Sequence, residues 1–208
     1  MKCWVVGFLL LFILPLNFGC SHQITPKRYS FPESTLPTLS VKTPIRIKAH
    51  LTNEQPVTIC APFIHSYKVT MDALTEDALA TLADTFTRKN VPMESSARKQ
   101  IEISIIGAEC DLEAFTFNYK VKLRALLGNS TSKEFTGSQR TANHYTTNST
   151  ISDATTYAVI EMLKDSDVLT YLQGNNASRL IELKDLYNSG LITKDEYELK
   201  RSKLMDGL

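Results

Sequence analysis

The chain has 208 residues and carries 23 Lys and Arg against 22 Asp and Glu. Such a balance excludes a surface devoted to nucleic acid, because phosphate binding needs a basic excess or a basic patch. The densest basic cluster, Lys200, Arg201 and Lys203, follows Asp195, Glu196 and Glu198 on one predicted helix, which is the pattern of a solvated helix face.

In chain order, Lys2 gives a short positive start and an apolar run extends from Trp4 to Leu16. A spanning helix needs about 20 apolar residues, so this run is too short and reads as the core of a secretory signal. Asn17, Phe18, Gly19 and Cys20 follow, and the composition then turns polar. Removing residues 1–19 takes away one lysine and no acid, leaving 189 residues with 22 charges of each sign. Residues 20–44 hold Pro26, Pro32, Pro37 and Pro44 among Ser and Thr, and read as an extended spacer.

Alternation then predicts a half-buried strand at Ile45, Ile47, Ala49 and Leu51, and a second at Val57, Ile59, Ala61 and Phe63. Thr75 is placed to cap a helix with Glu76 and Asp77 in its first turn. Leu79, Leu82, Ala83 and Phe86 form its apolar stripe, and Asn90 and Pro92 stop it. Ile101, Ile103 and Ile105 share one strand face, whereas Ala108, Cys110, Leu112 and Ala114 share the other. The phase slips at Ile106 and Gly107, where a β-bulge would re-aim the side chains.

Phe115 to Ala125 alternates cleanly with Asn118, Lys120, Lys122 and Arg124, a strand with one buried face. Gly128 and Asn129 mark a turn before a weaker strand from Phe135 to Tyr145. Ser152 opens a helix that directs Ala158, Val159, Met162 and Leu163 inward. The expected fold class is α+β: an antiparallel sheet of four to five strands with two helices on one face, plus a C-terminal helical hairpin. About 130 residues, 45–172, suffice for one such core. Residues 173–177 read as a linker. Two short helices follow, Ser178 to Asn188 and Lys194 to Met205, the second opened by a capping box of Thr193 and Glu196.

Three resemblances bear on function. The basic start, the apolar run and Gly19-Cys20 resemble a bacterial lipoprotein signal, in which Cys20 would be lipidated and become the first residue. Asn17 and Phe18 depart from the Leu and small residue usual there, and an ordinary signal peptide with an incidental cysteine is the other reading. The resemblance implies a lipid-anchored envelope protein with the membrane as partner. Ser21, in place of the Asp that retains such proteins in the inner membrane, implies the outer membrane facing the periplasm. Cys3 would leave with the signal, so Cys60 and Cys110 remain as a candidate disulfide for an oxidising compartment, with two buried thiols as the alternative.

Leu183, Leu186, Tyr187, Gly190 to Thr193, Glu196, Tyr197, Lys200, Lys203 and Leu204 are similar to the short C-terminal domain known as SHOCT. That resemblance implies oligomerisation or contact with a protein partner. Physics agrees, since so small a helix pair buries too little to be stable alone. The contact set is Leu183, Tyr187, Leu191, Ile192, Tyr197 and Leu204, with docking on the chain's own domain as the competing outcome. In layout, and in the stretches 75–91 and 153–165, the middle resembles envelope lipoproteins of lipopolysaccharide assembly and of lipid-trafficking transporters.

Chemistry is sparse. No Gly-x-Ser-x-Gly elbow, His-Glu-x-x-His pair or phosphate-binding glycine loop occurs. His22, His50, His65 and His144 are scattered without metal-ligand spacing, and no cofactor is expected. Glu109, Asp111 and Glu113 alternate along one strand and read as a solvated sheet face. The expectation is a non-enzymatic accessory of envelope assembly or transport. A carrier of a small lipid or glycan is the rival, and it would need a deep apolar pocket.

Overall fold

A computed structural model describes residues 20–27, 31–52, 55–60, 65–113, 115–143, 146–174 and 176–205. Seven strands and five helices occur among them. They are β1 (Cys20–Gln23), β2 (Ile45–Ala49), β3 (Val57–Cys60), β4 (His65–Val69), α1 (Met71–Arg88), β5 (Lys99–Glu113), β6 (Thr116–Leu127) and β7 (Ser132–Thr141). The remaining helices are α2 (Thr147–Lys164), α3 (Ser166–Gln173), α4 (Asn176–Asn188) and α5 (Lys194–Met205).

The strands form two sheets, not the single antiparallel one expected from the alternation. One has the order β1-β4-β3 and the other β2-β5-β6-β7. The pairs β1–β4 and β2–β5 are parallel, while β3–β4, β5–β6 and β6–β7 are antiparallel. Period-two alternation reports which face is buried but not strand direction, and a parallel pair needs only a crossover long enough to return the chain. Here β3, β4 and α1 supply that crossover between β2 and β5.

The long hairpin of β5 and β6 organises the core. Ile101, Ile103, Tyr119, Val121, Leu123 and Ala125 are fully buried on its inner face, while Lys122, Arg124 and Leu126 face solvent. The register shifts between Ile105 and Gly107, as the phase slip predicts, so Ile105 and Ala108 both stay inward opposite Leu123 and Val121. α1 packs on β5 and β2, α2 packs on β6 and β7, and the two helices touch each other.

α1 begins one turn earlier than expected. Thr70 is its cap, accepting from the Ala73 amide at 3.1 Å. Thr75 instead lies inside the helix, where its hydroxyl donates to the Met71 carbonyl and accepts the Ile105 amide, both at 2.8 Å. A bulge interrupts the ladder at Ile105, and a helical hydroxyl satisfies the freed donor. The cap and the bulge partner are both threonines in a polar-apolar mixture, which is why spacing alone exchanges them.

The described parts of residues 20–44, namely 20–27 and 31–44, are built into the fold rather than standing away from it as a spacer. β1 pairs with β4, and Ile24, Leu39 and Val41 join the main core. Phe31 and Leu36 form a second cluster with Ile160 of α2. Arg88 stacks over the Phe31 ring at 5.2 Å and donates to its carbonyl. The four prolines limit regular structure in this segment without preventing burial of the apolar residues between them.

Connections to β5 and β6 define two ends of the molecule. Midway along β5, Thr75 of α1 meets Ile105, and nearer the hairpin tip Tyr67 of β4 lies close enough to act on the Tyr119 hydroxyl. Moving back along β4 from Val69 to His65 therefore runs toward the β5–β6 tip, and His65 pairs with Cys20. Burial raises the pKa of the Tyr119 hydroxyl; its hydrogen bond to Thr147 at 2.8 Å opposes this and nearby Tyr67 adds to it. At the other end, the Tyr171 hydroxyl of α3 donates to the Gln100 carbonyl at 2.9 Å and accepts the Gly128 amide at 3.1 Å. β5 has 15 residues, which at about 3.3 Å each separates the ends by roughly 45 Å.

Candidate functional site

The candidate site is the hairpin of α4 and α5. α4 ends in a complete Schellman arrangement. The Leu191 amide donates to the Leu186 carbonyl and the Gly190 amide to the Tyr187 carbonyl, both at 3.0 Å. Gly190 sits at φ 70°, which a side chain would strain. Three residues later the expected capping box closes. The Glu196 carboxylate accepts from the Thr193 amide at 2.9 Å and from its hydroxyl at 3.0 Å, while the Glu196 amide donates back at 3.3 Å. The backbone bond from Thr193, then its hydroxyl, hold the Glu196 pKa below the usual carboxylate value.

Within the hairpin, Tyr187 and Tyr197 stack with ring centroids 4.9 Å apart. Leu183 is buried, and Ile192 is half-buried. The tyrosine stack ties the two helices together, while Tyr187 remains 39% exposed. Leu191, 60% exposed, faces solvent, and the Leu204 side chain lies outside the described residues. Sequence reasoning missed two others. Ile181 is 63% exposed on α4 and Leu199 is 59% exposed on α5. Both stand in charged surroundings off the Leu183–Tyr187 stripe, and an isolated apolar residue in a polar run was the available signal.

The hairpin meets the main domain at the Tyr171 end. A cleft of about 500 Å³ is lined there by Thr43, Arg98, Lys99, Tyr171, Asp185 and Leu186, among others. α3, just before the hairpin, is held by a charged cap. The Asp165 carboxylate accepts from the Asp167 and Val168 amides at 3.0 and 3.1 Å and from Lys133 of β7 at 2.8 Å. Burial works to raise the Asp165 pKa, but the Lys133 bond and the two amides outweigh it and leave it lowered.

The other sequence-marked residues gather elsewhere. Cys20 opens β1 beside His65. Cys60 closes β3 opposite Tyr67. The side chains of Cys20 and Cys60 lie outside the described residues. Cys110 sits on β5 opposite Tyr119, packed against the core. The acidic row on β5 is tied across the sheet, Asp111 to Lys120 at 2.6 Å and Glu113 to Arg140 at 3.3 Å. Among the described residues, no group of three or more His, Cys, Asp or Glu could hold a metal ion, and no helix is long and apolar enough to cross a membrane.

Residues 178–205 match the family described as the short C-terminal domain, SHOCT. No curated protein matches the chain. Among solved structures, a crystal structure of a Xanthomonas campestris protein of family DUF330 is similar with a TM-score of 0.46 and 12% identity, covering 76% of this chain and 99% of that one.

Proposed function

We propose that this chain is a non-enzymatic envelope lipoprotein, an accessory of assembly or transport whose C-terminal hairpin contacts a second chain. One observation carries this reading. Ile181, Leu191 and Leu199 are each about 60% exposed on a hairpin whose turn is capped on both sides. Capping preserves the shape of the helices, and packing of the apolar side chains is left for a partner. The interior between the large sheet and its helices is filled by Leu74, Leu82, Phe86, Ile101 and Leu123, all fully buried, which favours an accessory over a carrier. Deleting residues 178–208 is expected to remove the partner in a pulldown from native membranes while the truncated protein stays folded. Retention of the same partner would refute the contact role.

The reading includes lipidation at Cys20, residence in the outer membrane, and a bridge between Cys60 and Cys110. In support of the bridge, Cys110 packs against the core from β5, and β3, which ends at Cys60, packs against β5. Closing that loop would contribute about 4 kcal/mol on the chain-entropy account. Alkylation without reduction, followed by mass spectrometry, is expected to leave both cysteines unlabelled. Two labelled thiols would eliminate the bridge.

A further inference from the structure

We infer that the tip of the β5–β6 hairpin is a membrane foot, with Phe115 and Leu112 entering the bilayer beside the lipid anchor. Phe115 is 88% exposed and Leu112 is 50% exposed. Phe115 also holds φ 70°, a left-handed conformation that a bulky side chain adopts only under constraint. Phe and Leu are among the side chains that interfacial elements bury at the boundary of headgroups and acyl chains.

The occupant follows from where the chain enters the fold. In the lipoprotein reading the mature chain begins at Cys20, and its acyl chains hold that residue at the bilayer surface. Cys20 pairs with His65, and Tyr67 lies beside Tyr119, which is two residues from the start of the inner row at Phe117. The described chain therefore begins at the same end of the molecule as the hairpin tip. Because residues 20–27 pack into the domain through β1 and Ile24, a lipid on Cys20 would bring this end against the bilayer without a long tether. Glu113 and Arg140, and Asp111 and Lys120, neutralise each other above the tip. The contact should therefore be apolar and insensitive to salt.

The inference rests on the lipoprotein reading, and the experiment separates the two. The only tryptophan in the chain is Trp4, so an indole placed later reports alone once residues 1–19 are gone. Full-length chain carrying Phe115→Trp is purified from membranes and reconstituted into vesicles of phosphatidylethanolamine and phosphatidylglycerol. Leu126→Trp, a half-exposed position near the opposite end of β6, is the control. The expected result is a shift of the residue-115 emission to shorter wavelength, quenching by brominated lipid, persistence in high salt, and no change at residue 126. An unchanged residue-115 spectrum, or equal quenching at both positions, would overturn the foot. Intact mass of the same sample reads acylation of Cys20. If the lipid is absent, the lipoprotein reading fails by itself. The foot is then tested with both variants carrying a hexahistidine tag in place of residues 1–19 on vesicles containing a nickel-chelating lipid, with the same two outcomes.

Discussion

Gly137→Ala should destabilise the main domain by about 3 kcal/mol or more, the range of severe core overpacking. Gly137 lies on β7 opposite Val121, facing α2. A Cβ there would overlap the Ala154 carbonyl oxygen and the Ala158 amide nitrogen, and come within 2.9 Å of the Ala158 Cα. All three are backbone atoms, so no rotamer change relieves the clash; α2 itself must lift from the sheet. Ala154 and Ala158 are one helical turn apart and fully buried, and their small side chains are what allow this approach. Urea unfolding of wild type and variant measures the difference. A midpoint within error of wild type would show that α2 does not pack on β7 in this way.

Cys20→Ala is expected to have an all-or-none effect on location. Lipid chains contribute about 0.8 kcal/mol per buried methylene, and two chains suffice for stable anchoring. Without the thiol there is no acylation site, and the product should be uncleaved precursor or soluble protein. Fractionation at high salt decides between these and the contrary result. A variant that loses its signal yet still sediments with membrane would show that the lipid is not the anchor.

The elements whose identity depends on local pattern were legible in the sequence. The bulge at Ile106 and Gly107 follows from a break in period two, and the capping box at Thr193 and Glu196 from polar spacing. The hairpin helix Lys194–Met205 begins and ends where the sequence places it. What the sequence hid is long-range. Strand direction leaves no trace in alternation, so the parallel pairs β1–β4 and β2–β5 were invisible. Val57 to Phe63 read as a strand from its alternation, but the strand His65–Val69 that pairs back on Val57–Cys60 mixes polar and apolar residues and went unread. In residues 20–44 the prolines dominated the reading, while Ile24, Phe31, Leu36 and Leu39 carried the burial. On the hairpin, the apolar stripe identified the helices but not which side chains remain available. Tyr187 and Tyr197 stack on each other, and the largest exposure falls on Leu191 together with Ile181 and Leu199.

Central to this account is a hairpin that meets a second chain. Residues 1–19 can be replaced by a tag so that lipid does not obscure the mass, and full-length protein is then compared with protein lacking residues 178–208. The main-domain core includes residues up to Leu172 and α3 is tied to the sheet through Tyr171, so the truncated form should fold. Light scattering across a concentration series, with the pulled-down partner added to each form, is the direct measurement. The predicted result is a mass above monomer, or a complex with the partner, for the full-length form only. Monomers of both forms, with equal binding of the partner or none by either, would contradict the claim and leave the hairpin as a structure docked on its own domain.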